Sequence, residues 1–344
     1  MAEEPVRVGL MGFGRMGRNL FRILHARDDV RVAAISDVAD HEALLYLLRF
    51  DTILGRFRDE VSLKDGVLYA AGRRTRMLSA AAPGDVDWAE LGVHTVVDAS
   101  ARYPRRADIE KHLERGAERV ILCVPAADPP DVTVVVGVND DQLRLEHRIV
   151  SNASCTAHCA APVLEVLEDA FGIERVFLTS VHAYSNQQRL ADVPAEDPRR
   201  GRAAAENIIP QETNAGEVIV ELLPQLRGKL TAHSINVPVP NGSIVDLVCW
   251  HREPVTVGSI NEVVRTAAGS ARWRGILDSE DDPIVSSDIA LTSYSSTFDC
   301  RSTMTLGETV SKTLSWFDNS WGYAHRVVDL ILRFRELERA REAA

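Results

Sequence analysis

Hydrophobic residues follow two alternating rhythms through the first half of the chain. Val6–Gly12 reads as a mainly apolar strand, and Val30–Asp37 as the next strand. Between them, Arg15–Arg27 places Met16, Leu20, Ile23 and Leu24 at the spacing of one helical face. A strand, a helix and a strand in that order predict a parallel sheet with a crossover helix. Asp65-Gly66, between Val61–Lys64 and Val67–Ala70, predicts a hairpin. Further strands are expected at Val93–Ala99, Arg119–Val124 and Val132–Val138, with a helix at Ala107–Gly116. These complete a doubly wound unit of about 150 residues.

The pattern changes after Ser154. Thr156–Phe171 reads as one helix with Ala160, Val163, Leu164 and Leu167 inward. Longer β-type runs follow at Arg175–Tyr184, Leu230–Val239 and Ser243–His251. Ser185–Ile209 is rich in Arg and Ala and lacks strand periodicity, and loops of that length are usually functional. Trp321–Arg341 predicts a terminal helix with Val327, Leu330, Ile331, Phe334 and Leu337 on its packed face.

The 344 residues suit two domains. Apolar residues at 45% and charged residues at 26% are ordinary for a globular protein and exclude a mainly disordered chain. No apolar run reaches the ~18–20 residues of a membrane span, and the opening Met-Ala-Glu-Glu-Pro is not expected to be a secretory signal. A net charge of −11 argues against nucleic acid as the main partner. The five cysteines contain no CxxC pair, so no disulfide framework is expected and a reducing, cytoplasmic compartment follows. The excess of 35 Arg over 4 Lys carries no functional reading.

Gly12-Phe13-Gly14-Arg15-Met16-Gly17 is a GxGxxG motif with a strand before it and a helix after it. The first glycine makes the tight turn, the second lets the backbone approach a pyrophosphate, and the third lets helix and strand pack closely. The helix N-terminus offers unpaired N–H groups to the phosphates. Asp37, 20 residues after Gly17, is placed to accept hydrogen bonds from the adenosine ribose and to repel a 2′-phosphate. NAD is therefore expected as the cofactor, in preference to NADP, and no metal is expected.

Cys155 lies in Ser151-Asn152-Ala153-Ser154-Cys155-Thr156, where a strand gives way to a helix. A helix N-terminus favours the thiolate and offers N–H groups to an oxyanion. His182, 27 residues on, ends the next strand. Beside a thiol it can pair with the thiolate and exchange a proton with the intermediate. Cys159, one turn on, is expected to pack inward.

From Val6 to about Arg333 the chain resembles the glyceraldehyde-3-phosphate dehydrogenase family. Seven segments carry the likeness, in the family's order and spacing. They are VGLMGFGRMGR at the start, LLRFDTILGRF around Asp51, SNASCT at Cys155, HAYSNQQRL at His182, RRGRAAAENIIP around Arg200, VPVPNGSIVDL around Pro240, and SWFDNSWGYAHRV at Trp316. GVNDDQLRLEHRIVSNASCT also looks like the erythrose-4-phosphate dehydrogenase branch. The resemblance implies an α/β fold: a Rossmann-type parallel-sheet domain, then an α+β catalytic domain with a mainly antiparallel sheet. It implies a NAD-binding domain at 1–154, a catalytic domain at 155–320, and a C-terminal helix at 321–344 packing back on the first domain. It implies a homotetramer that oxidises an aldehyde phosphate, glyceraldehyde 3-phosphate first among them, to an acyl phosphate with NAD and inorganic phosphate.

Carried over by residue, the resemblance makes Cys155 the nucleophile and His182 its base. Asn319 holds the nicotinamide carboxamide and Tyr323 lies near that ring. Ser154, Thr156 and Thr213 surround the attacking phosphate, while Ser185, Arg200 and Asn236 belong to the substrate-phosphate region. The chain departs from the family at several points. Met11 stands for an asparagine before the first glycine, Ser36-Asp37 for Asn-Asp, and Ala99-Ser100-Ala101 for Ser-Thr-Gly. Asn236 stands where the family has the arginine that grips the substrate phosphate. Ser185 and Gln187 replace Thr and Asp, and Glu212 and Glu217 bring carboxylates to a segment where the family has a lysine. Those carboxylates matter if they point inward, since two charges ~4 Å apart interact by about 4 kcal/mol near a surface. The alternatives are an erythrose-4-phosphate dehydrogenase-like enzyme, a non-phosphorylating aldehyde dehydrogenase, and a non-catalytic NAD-binding scaffold.

Overall fold

The computed structural model describes residues 4–185 and 188–343. The chain divides into two compact units. The first comprises 1–134, 140–153 and 324–344, and the second 135–139 and 154–323.

The first unit is built on one nine-stranded sheet. Its strands are β1 (Val6–Met11), β2 (Val30–Ser36), β5 (Val61–Lys64), β6 (Val67–Ala70), β7 (Arg73–Leu78), β8 (Thr95–Asp98), β9 (Arg119–Leu122), β10 (Val132–Thr133) and β11 (Ile149–Ser151). Helix α1 (Arg15–His25) crosses from β1 to β2, α2 (His41–Arg49) leads to the small ribbon β3 (Phe50–Asp51) and β4 (Gly55–Arg56), and α3 (Arg106–Glu114) crosses from β8 to β9. The sheet order is β10-β11-β9-β8-β1-β2-β7-β6-β5. All pairings from β10 to β7 are parallel, and β6 and β5 add an antiparallel edge. The hairpin at Asp65-Gly66 has both residues at positive φ, 52° and 69°, the mirror-image turn that matches strand twist.

Val132–Val138 was expected as one strand, but only Val132 and Thr133 pair. The Asn139 side chain accepts a hydrogen bond from the Val135 N–H, and Gly137 takes φ +91°. The apolar run therefore curls into a turn, and residues 135–139 join the second unit.

The second unit opens with α4 (Cys155–Phe171), followed by β12 (Ile173–Ala183), β13 (Ile209–Gln211), α5 (Ala215–Leu222), β14 (Leu230–Val237), β15 (Ser243–His251) and α6 (Val257–Ala268). It closes with β16 (Leu277–Glu280), β17 (Ser296–Asp299), β18 (Met304–Leu306) and β19 (Val310–Phe317). Helix α7 (Trp321–Glu342) begins in this unit, and its residues from Ala324 onward belong to the first. The eight-stranded sheet runs β13-β14-β12-β15-β19-β17-β16, with β18 on β19. Five of its pairings are antiparallel; β12–β14 and β16–β17 are parallel. A Rossmann-type unit followed by an α+β unit with a mainly antiparallel sheet is the predicted fold class. Ala160, Val163, Leu164 and Leu167 of α4 are all fully buried, as the periodicity required. On α7, Val327, Leu330, Ile331 and Phe334 are buried, while Leu337 is half-buried.

Candidate active site

The glycine motif divides its labour as the chemistry demands. Gly12 has φ +92°, and a methyl group there would meet the Ser100 backbone at 2.8 Å. A methyl at Gly17 would fall on the carbonyl oxygen of Gly12. At Gly14 a methyl would meet nothing within 4 Å. Protein atoms thus explain the first and third glycines, and open space faces the second. Gly14 is also the N-cap of α1, and no side chain caps that end. Bare N–H groups beside open space fit a pyrophosphate.

Asp37 stands at the end of β2. Its Oδ2 accepts from the Phe13 N–H at 2.6 Å and its Oδ1 from the Ala39 N–H at 2.9 Å. The carboxylate therefore fixes the glycine turn and keeps further lone pairs for ribose hydroxyls. Arg15 and Met16 are half-buried on the first turn of α1. Arg18, one turn on, donates to the Phe13 carbonyl at 3.2 Å and pairs with Asp51 at 3.3 Å. Burial alone would raise the Asp51 carboxyl. The N–H groups of Leu54 and Ile53 and the Arg18 guanidinium outweigh it and hold the group below the usual carboxylate range.

The thiol lies in the second unit. Ala153, just before it, is strained at φ +47°. Ser154 then caps α4, its Oγ accepting from the Ala157 N–H at 3.1 Å, and Cys155 is the first helical residue. Its Sγ is 3.4 Å from His182 Nε2. His182 Nδ1 donates to the Ala183 carbonyl at 2.6 Å. With the proton on Nδ1, the neutral ring presents the bare Nε2 to the thiol. The other four thiols are pushed up by burial, Cys159 and Cys249 to about 12 and Cys123 and Cys300 also upward. Cys159 sits against Ser296 and the β19 carbonyls.

Strand register assembles the wall around this pair. His182 on β12 lies opposite Asn236 on the parallel strand β14, so both side chains share a face. Ser180, opposite Ser234, belongs to the same face and meets Thr156 Oγ1 at 3.3 Å. Gln211 on β13, opposite Ser234, donates its amide to Asn236 Oδ1 at 2.9 Å. Asn236 is only 3% exposed. This stretch of the face offers hydroxyls and amides beside the His182 ring.

The remaining expected residues divide. Thr213 Oγ1 accepts from the Ala215 N–H at 3.2 Å at the start of α5. Ser185 Oγ donates to Gln188 at 3.0 Å. Gln187 lies outside the described residues. Arg200 is on the exposed loop, its side chain 54% accessible and 3.7 Å from Asp197. Glu212 and Glu217 are both exposed, so they face solvent and not the thiol. Asn319 Oδ1 accepts from Ser243 at 3.4 Å, and Tyr323 is buried edge-on to His158.

Comparison with known proteins settles the family. The glyceraldehyde 3-phosphate dehydrogenase NAD binding domain model matches residues 6–106, and the C-terminal domain model of the same family matches 154–319. The chain belongs to the glyceraldehyde-3-phosphate dehydrogenase family. It is 44% identical to the glyceraldehyde-3-phosphate dehydrogenase of Streptomyces coelicolor over 327 residues, 94% of this chain and 97% of that one. Identity to the Geobacillus stearothermophilus enzyme is 43%, over the same shares of the two chains. To the Mycobacterium leprae enzyme it is 44%, over 95% of this chain and 97% of that one.

Sequence reasoning within the family missed Gln211, Arg18 and Asp318. The buried Asp318 carboxylate accepts from Asn241 at 2.7 Å and from the N–H groups of Leu291, Ser320 and Trp321. It closes the turn that carries Asn319. The Asn319-Ser320-Trp321 that follows Asp318 is a readable helix-start signal. Gln211 carried no such signal, because its role depends on strand pairing.

Proposed function

We propose that this chain is an NAD-dependent dehydrogenase that oxidises glyceraldehyde 3-phosphate to an acyl phosphate. The observation that carries the reading is the 3.4 Å approach of Cys155 Sγ to a His182 ring whose Nδ1 is already committed to a carbonyl. His182 Nε2 takes the thiol proton, and the thiolate attacks the aldehyde carbon. The protonated ring returns its proton to the developing oxyanion, giving a thiohemiacetal. His182 removes that hydroxyl proton again as the C–H electron pair departs, which leaves the thioester. A bound NAD would supply the hydride acceptor; Gly12, Gly14, Gly17 and Asp37 would hold it, and Asn319 and Tyr323 would serve its nicotinamide end. Inorganic phosphate then attacks the thioester and frees Cys155. The Ser154 and Thr213 hydroxyls each accept from a backbone N–H, so each keeps its own proton to donate to that anion. Thr156 completes the set.

The enzyme works in the cytoplasm as a homotetramer. Its five cysteines are all free thiols, which suits a reducing compartment. No helix among the described residues is long and apolar enough to cross a membrane. The face of β12 turned away from α4 carries Phe177, 55% exposed and edge-on to Trp250, and Leu306 and Ile208 are 76% and 69% exposed. Apolar groups of that size suit subunit contacts. One feature favours a wider substrate range: the neutral amides of Asn236 and Gln211 beside His182. Steady-state rates over aldehydes and aldehyde phosphates, with NAD or NADP and with or without phosphate, test the reading. Phosphate-independent turnover, or turnover without Cys155, would replace it.

A further inference from the structure

We propose that the buried chain Trp88–His112–Asp98 positions the Ala99–Ala101 loop for NAD, with His112 as a positioning residue for the cofactor. The inference rests on the NAD reading above and adds residues outside the glycine motif. In the order β9-β8-β1-β2 all the strands are parallel, but the side on which successive strands are added switches between β1 and β8. A doubly wound sheet binds its ligand outside the carboxyl ends of the strands at that point. The loops flanking the crevice are Gly12–Gly14 after β1 and Ala99–Ala101 after β8. They touch: the Ser100 backbone is what a methyl on Gly12 would strike.

Asp98, the last residue of β8, holds the second loop. Its Oδ1 accepts from the Ser100 N–H at 2.9 Å and from the Ser100 hydroxyl at 2.6 Å, and Ala101 beyond is bent to φ +57°. The other oxygen, Oδ2, is buried without a partner. The ring nitrogen His112 Nε2, also buried and unpartnered, lies 3.8 Å from it. Trp88 decides what that nitrogen carries. Its Nε1–H donates to His112 Nδ1 at 2.9 Å. An indole nitrogen can only donate, so Nδ1 is bare and the ring proton is on Nε2. A donor thus stands opposite an acceptor, short of bonding distance by well under 1 Å. Trp88 itself is fixed, since its ring fills the space a Cβ on Gly9 would take, at 2.5 Å. A small movement of the loop closes the bond, and the bond holds the loop against Gly12.

The test is NAD binding, measured by calorimetry on the full chain, together with steady-state kinetics. His112→Leu removes donor and acceptor; the Kd for NAD rises about tenfold, the loss of one buried hydrogen bond, while kcat at saturating NAD stays unchanged. His112→Gln keeps an acceptor for Trp88 and a donor for Asp98 and restores most of the affinity. Asp98→Asn sets an amide N–H against the Nε2–H and weakens NAD. Adding Trp88→Phe to Asp98→Asn frees the ring to move its proton to Nδ1 and accept at Nε2, so the double variant binds NAD more tightly than Asp98→Asn alone. If the double variant binds no better than the single, and His112→Gln no better than His112→Leu, the chain does not position the loop. Should His112→Leu fail to fold, the comparison of Asp98→Asn with its double decides. Absence of NAD binding by the unaltered protein would instead overturn the cofactor reading.

Discussion

Asn236 lies directly opposite His182 across two parallel strands, and its side-chain oxygen is taken by Gln211 at 2.9 Å. A neutral amide pair therefore lines the wall beside His182. An amide pair can donate and accept, which suits hydroxyl groups, whereas a phosphate dianion only accepts.

Asn236→Arg should lower the Michaelis constant for phosphorylated aldehydes about tenfold or more, because a hydrogen bond to a charged group is worth about 1.5–3 kcal/mol. Constants for unphosphorylated aldehydes should not move. Glu217 is exposed, so Asn236→Arg should act without Glu217→Lys. An unchanged constant for every phosphorylated aldehyde would remove Asn236 from the substrate site.

Cys155→Ser should abolish turnover and leave NAD binding intact, since a hydroxyl is far less ionised than a thiol. Cys159→Ser should retain near-normal rates. Burial pushes that thiol up to about 12, so it supplies no thiolate at neutral pH. Iodoacetate labelling with peptide mapping should find Cys155 modified first.

Asp37 has two duties, which separate on mutation. Asp37→Ala should narrow the preference for NAD over NADP by removing repulsion of the 2′-phosphate. It should also weaken both cofactors, because the Phe13 N–H loses its partner at 2.6 Å. A variant with unchanged NAD affinity would show that the Phe13 bond does not hold the turn. Equal efficiency of the unaltered enzyme with both cofactors would show that Asp37 does not face the ribose.

Ala101 occupies a left-handed conformation at φ +57°, a cost of roughly 1–2 kcal/mol for a residue with a Cβ. Ala101→Gly should relieve part of it, offset by the greater freedom of glycine in the unfolded chain. A melting temperature a few degrees higher by calorimetry is expected, and a fall would show that the strain is balanced elsewhere.

Burial lowers His25 against its hydrogen bond to Asp59, and burial likewise lowers His251. A folded pKa below the ordinary ~6.5 means that the unfolded chain binds the proton first. The stability from these two rings is present above pH ~6.5 and is lost as pH falls through their folded values, by at most about 1.4 kcal/mol per pH unit for each. Urea midpoints measured from pH 7 to 5 should fall, and His251→Asn should flatten the slope. A midpoint that rose towards pH 5 would contradict the direction.

The chain alone settled much that depends on neighbours in sequence. GxGxxG between an apolar strand and a helix located the turn at Gly12. Ser154-Cys155 before an apolar helix located an N-cap followed by a thiol. The inward faces of α4 and α7 followed from a period of 3.6, which any folded environment must respect. The segment order carried the family, which the domain matches bear out.

Only tertiary structure decided relationships set by strand register and burial. Nothing in Gln211 announces that it bonds Asn236, because the two are 25 residues apart and meet only through the β13–β14 pairing. Val132–Val138 read as a strand because apolar content cannot show that Asn139 will cap Val135 and turn the chain away. Glu212 and Glu217 stood open in sequence, since charge fixes no direction; Glu212, between β13 and α5, and Glu217, on the first turn of α5, are both exposed. The tautomer of His112 is a product of packing, set by an indole donor 24 residues away. Local sequence limits which conformations a residue can take, but which groups are desolvated together is decided by the whole fold, and hydrogen-bond chemistry at the site follows from that desolvation.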